Sequence, residues 1–123
     1  MNDTSRACGL TVDSEYVELA VEVFSMLADP TRVRIILALR DSEMSVGDLA
    51  ILTDRSQAAV SQHLAKLRMA RIVTPRHEGT KAYYRLVDEH ARQLVADAIF
   101  QAQHTLDGSP AHHVAGVKDA PDA

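Results

Sequence analysis

The chain has 123 residues, enough for one domain of ordinary size with a buried core and too few for two such cores. Hydrophobic residues make up 46% and charged residues 24%, with five Gly, four Pro and a single cysteine, Cys8; this excludes disordered and collagen-like chains, disulfide scaffolds and zinc fingers. Net charge is -4, yet residues 54–85 carry seven cations (Arg55, Lys66, Arg68, Arg71, Arg76, Lys81, Arg85) against Asp54 and Glu78, which excludes a uniformly basic coat and points to one face that meets a polyanion.

Residues 1–11 form a polar N-terminal tail without the basic-then-apolar pattern of a secretory signal, and no run approaches the roughly 18 apolar residues of a membrane span. The expected compartment is the cytoplasm, with no membrane partner. From Val12, the apolar positions Tyr16, Leu19, Ala20, Val23, Met26 and Leu27 recur at three and four residues and predict an amphipathic helix, stopped at Asp29-Pro30. Pro30 opens a second helix whose apolar side is Val33, Ile36, Leu37 and Leu39. Ser45 caps a short helix through Leu52 with Val46, Leu49 and Ala50 inward, and Thr53-Asp54-Arg55 makes a tight turn. Ser56 caps the next helix, which runs to about Met69 and buries Val60, Leu64 and Leu67. The period then changes to alternation over residues 71–76 and 81–86 around a turn at 77–80, a β-hairpin with basic rims. Val87 to about Thr105 is helical again, with an apolar stripe of Ala91, Leu94, Val95, Ala98 and Ala102. The domain therefore spans 12–106, and 107–123 form a flexible, histidine-containing C-terminal tail that begins at Asp107-Gly108-Ser109-Pro110.

The fold class is mainly α with a small β-hairpin. Two helices joined by a short turn, the second exposing small polar residues, followed at once by a basic hairpin, give the order of a winged helix-turn-helix. Base edges are read by short hydrogen-bonding side chains near the start of the second helix, which makes Ser56, Gln57, Ala58, Ser61 and Gln62 the candidate reading residues on double-stranded DNA. Lys66, Arg68, Arg71, Arg76 and Lys81 are the candidate phosphate contacts. No nucleophile–base spacing, glycine-rich phosphate loop or HExxH motif is present, so an enzyme is not expected.

Three segments, residues 27–36, 59–67 and 79–86, resemble the hallmark segments of the ArsR/SmtB metal-sensing repressors, and the resemblance runs from about Val17 to His104. It implies a homodimeric repressor, with an interface built from the first and last helices, that binds operator DNA in its apo form, is released by a metal and thereby derepresses metal efflux genes. The apolar stripe of the last helix agrees, because so small a domain needs a partner to cover it.

The Cys-x-Cys pair of one family site is replaced by Ser45-Val46-Gly47, which removes the thiolate route to soft metals. The last helix carries a second family pattern, that of zinc sensors, in Asp88, His90 and His104, with Gln101 where that pattern has a histidine. Positions 90 and 101 lie about 16 Å apart along one helix, so only antiparallel helices of two subunits bring them to one ion. His112 and His113 add imidazoles in the tail, and six N/O donors suit nickel or cobalt where zinc commonly takes four. The segment from Glu89 to His113 is similar to the nickel/cobalt-sensing, KmtR-like branch. That similarity implies His90, His104, His112 and His113 as ligands, with Gln103 where the branch has a glutamate and Asp88 or Asp97 as alternative oxygen donors. Zinc, or a DNA-binding module without metal response, is the competing reading.

Overall fold

A computed structural model describes residues 10–107, and among these the chain forms five helices and one small sheet. In order they are α1 (Val17–Leu27), α2 (Pro30–Ala38), β1 (Met44–Ser45), α3 (Val46–Thr53), α4 (Gln57–Met69), β2 (Val73–Glu78), β3 (Lys81–Leu86) and α5 (His90–Asp107). The expected winged helix-turn-helix class is what is found. Cys8, His112, His113 and most of the two expected tails lie outside the described residues. The chain divides after Val87 into two compact units.

Each helix of the first unit after α1 starts where a side chain accepts an otherwise orphaned backbone N–H. The Asp29 carboxylate accepts from the Arg32 N–H at 3.0 Å, with Pro30 in the first turn, and the Ser45 and Ser56 hydroxyls accept from Asp48 and Ala59 at 3.1 Å. Two helices end in left-handed residues that are not glycine. Asp54 (φ 56°) closes α3 with the Arg55 N–H donating to the Ala50 carbonyl, and Arg71 (φ 63°) closes α4 with the Ile72 N–H donating to Leu67. Both bonds have the six-to-one spacing of a Schellman end, and the first makes the tight turn between α3 and α4. The core lies between α2, α3, α4 and β2, where Ile35, Ile36, Leu49, Val60, Leu64, Leu67 and Val73 are fully buried.

Several elements differ from expectation. The first helix begins at Val17 rather than Val12, because Thr11 bonds Asp13 and the Ser14 hydroxyl accepts from the Tyr16 N–H, local bonds that hold residues 10–16 in turns. The hairpin turn is two residues, Gly79-Thr80, rather than four, and Gly79 supplies the positive φ (64°) it needs. The sheet has a third strand: β1 pairs antiparallel with β3 (Met44 with Tyr84, Ser45 with Tyr83), giving the order β1-β3-β2. The last helix starts at His90 rather than Val87, since the Asp88 carboxylate takes the His90 N–H at 2.9 Å, and it continues through Asp107.

Candidate functional site

α4 divides cleanly into two sides. Val60, Leu64 and Leu67 are buried, while Gln57, Ala58, Ser61, Gln62, Lys66 and Arg68 are exposed. The Ser56 hydroxyl is occupied by the helix cap, so from the first turn the amide of Gln57 and, one turn later, Ser61 and Gln62 are the groups presented outward. Lys66 and Arg68 follow in the last turn, where they also complement the negative end of the helix dipole. An exposed ridge of amides and a hydroxyl followed by cations is chemically suited to base edges flanked by phosphates.

Two arginines that were not singled out from the sequence as site residues hold this helix in place. The Arg32 guanidinium donates from Nε to the Met26 carbonyl at 2.6 Å and from Nη1 to His63 Nδ1 at 3.2 Å. Because arginine has no acceptor, His63 Nδ1 is the acceptor in this contact. His63, half-buried beside Leu64, is thus bonded within the fold, and Arg32 links the end of α1 to the middle of α4. Arg55, in the tight turn, donates to the buried Thr31 hydroxyl at 3.2 Å and ties that turn to α2. Both links join residues 24 or more positions apart, which no local pattern reveals. Beside Arg32 an open depression of about 500 Å³ is lined by Glu22, Ser25, Met26, Lys66 and Met69.

Of the expected wing contacts, Lys81 is exposed beside the Gly79-Thr80 turn. Arg76 is engaged. Its single Nε N–H is shared between the two Glu43 oxygens (3.0 and 3.1 Å), Nη2 donates to Glu43 (2.6 Å), Nη1 donates to Glu78 at 3.0 Å, and the guanidinium lies 5.0 Å from the Tyr83 ring centroid. The Arg76 hydrogen bonds hold the Glu43 carboxyl below the usual carboxylate range, and the same contacts raise Arg76.

On α5, His90, Asp97, Gln101 and His104 fall within about 40° of one line along the helix. All four are exposed, as is Gln103. His104 stacks on Phe100 with ring centroids 4.5 Å apart. One Asp88 oxygen accepts from the His90 N–H and one Asp97 oxygen accepts from the Gln93 amide at 3.0 Å. His90 and His104 are fourteen residues apart, about 21 Å of helix, and cannot share an ion within one chain. Accordingly, the described residues contain no group of three His, Cys, Asp or Glu placed to hold a metal ion. Next to this line Leu94 and Ala98 are exposed, while Ala91 and Val95 are buried. α1 is more extreme: none of its residues is buried, and Val17, Leu19, Val21, Val23 and Phe24 all stand open. Among the described residues no helix is long and apolar enough to cross a membrane.

A model of the bacterial regulatory protein, arsR family, matches residues 29–74, from the α2 cap through the start of β2. The chain is similar to the HTH-type transcriptional regulator KmtR of Mycobacterium tuberculosis, at 56% identity over 99 residues, 80% of this chain and 76% of that protein. It is 39% identical to the HTH-type transcriptional repressor SmtB of the same species over 88 residues, 72% of this chain and 65% of that protein. Among solved structures, it resembles the homodimeric winged helix-turn-helix DNA-binding domain of a possible ArsR-family regulator from Mycobacterium bovis. That match has a TM-score of 0.67 at 27% identity, over 85% of this chain and 98% of that one.

Proposed function

The chain belongs to the ArsR family of bacterial regulatory proteins, and from that premise we propose that it is a dimeric metal-responsive repressor, bound to operator DNA when apo and released by nickel or cobalt. Its relatives are transcriptional regulators, and the chain is a DNA-binding regulator, not an enzyme. In this reading Gln57, Ser61 and Gln62 at the head of α4 read bases, with Ser56 and Ala58 allowing close approach, and Lys66, Arg68 and Lys81 meet phosphates. The first and last helices of two subunits form the interface, and the genes released are those of metal efflux.

The observation that carries the metal reading is the exposed line of His90, Asp97, Gln101 and His104 on α5, next to uncovered apolar positions. Two such helices running antiparallel across a dimer would set His90 of one against His104 of the other. His112 and His113 of the tail, with an oxygen from Asp88, Asp97 or Gln103, would complete a six-donor N/O set that suits nickel or cobalt. The bound ion would act as a cross-link between subunits. The chain's own part is to translate that cross-link into a changed spacing of its two reading helices, so that metal and operator weaken each other's affinity by the same factor.

The test is fluorescence anisotropy on the DNA upstream of the gene, titrated with apo protein and then with nickel, cobalt or zinc. Release by nickel and cobalt is expected, and His90→Ala and His104→Ala should abolish release while leaving apo binding intact. Release by zinc alone would replace the six-donor site with Asp88, His90 and His104 in a four-donor one. Tight binding that no metal changes would overturn the metal reading.

A further inference from the structure

The sheet register puts Ser45, Tyr83 and Arg76 in one row across β1, β3 and β2, and Glu43 lies just before β1, two residues ahead of Ser45 in the chain. Arg76 therefore reaches diagonally over the Tyr83 ring, from the outer strand of the wing to the residue that precedes β1. Met44 and Ser45 follow Glu43, and Ser45 is the cap of α3. One guanidinium thus fastens β2 to the segment that starts the helix-turn-helix, across the whole width of the sheet.

We propose that Arg76 is a positioning residue for the wing rather than a phosphate contact: clasped by Glu43, it sets the angle at which the hairpin and Lys81 approach DNA. Four contacts to two carboxylates engage three of its five N–H groups, including the Nε–Nη2 side of the fork, where a phosphate would otherwise dock side-on. A carboxylate 2.6 Å away would also have to be displaced, and moved closer to the DNA backbone, for Arg76 to turn outward. An isolated exposed ion pair contributes little, but a network of a multiply bonded arginine, two carboxylates and an aromatic face holds one geometry. The inference requires only that the protein binds DNA and is independent of the metal.

The two roles predict opposite signs for the same variants. The probe is the duplex that the wild-type protein enriches from a random-sequence pool, with affinity measured over a range of NaCl. If Arg76 is the clasp, Glu43→Gln weakens binding about tenfold, and Arg76→Lys is as weak, since a lysine keeps the charge but not the fork. The double variant is then no weaker than either single one, because both remove the same link. The slope of log affinity against log salt stays at the wild-type value. If Arg76 is a phosphate contact, Glu43→Gln tightens binding by freeing it, Arg76→Lys retains most of the affinity, and Arg76→Gln flattens the slope by about 2 for the two subunits; that result overturns the proposal. Circular dichroism of each variant separates a loosened wing from a chain that fails to fold.

Discussion

At the scale of single residues, the first helix of the core depends on Asp29. Its carboxylate is held below the ordinary range chiefly by the Arg32 backbone N–H, with burial opposing and the Arg32 charge assisting. A carboxyl whose folded pKa is depressed stabilises the fold above its unfolded pKa and loses that contribution as pH falls through the folded one. Asp29→Ala should therefore cost about 1 kcal/mol in urea unfolding at pH 7, and the gap to wild type should narrow below about pH 4. A gap that is the same at both pH values would contradict the cap. This residue was legible only in part: the Asp29-Pro30 stop was plain, and so were the caps at Ser45 and Ser56. The pairing of Arg32 with His63, and of Arg76 with Glu43, joins positions 31 and 33 apart and leaves no trace in any period.

At the scale of elements, α4 was readable to its ends because its cap, its apolar spacing and its exposed polar side all agree. β1 was not, because a two-residue strand has no alternation to show and exists only through its pairing with β3. α1 raises a different question. An eleven-residue helix with no buried residue is marginal in isolation, since packing, not propensity, supplies most of a helix's stability. The Mycobacterium bovis domain that this chain resembles is homodimeric, and the proposed dimer would cover this surface with a second copy. Phe24, 60% exposed in one chain, sits within that open apolar surface. Phe24→Asp should shift the protein from dimer to monomer in sedimentation velocity and lower its helical circular dichroism signal; an unchanged dimer would place the interface elsewhere. The line of histidines on α5 was visible from spacing, whereas the second copy that the proposed metal site needs lies beyond one chain's sequence.

At the scale of the whole molecule, an acidic chain with a basic segment should bind DNA in one orientation and with strong salt dependence. Each phosphate contact contributes about 0.9 to the slope of log affinity against log salt. Lys66→Ala should therefore flatten that slope by about 2 in the dimer and weaken random and selected duplexes alike, while Gln62→Ala should weaken the selected duplex more than the random one. Equal losses from both variants on both duplexes would refute the division of α4 into reading and phosphate-facing parts. The end of that same helix shows what the whole fold has left unused. Arg71 adopts the left-handed backbone that an L side chain tolerates at a cost of about 1 kcal/mol, where glycine would relax it. Arg71→Gly would relax that backbone at the loss of one exposed cation next to α4, so the fold holds a latent reserve of thermostability one substitution away.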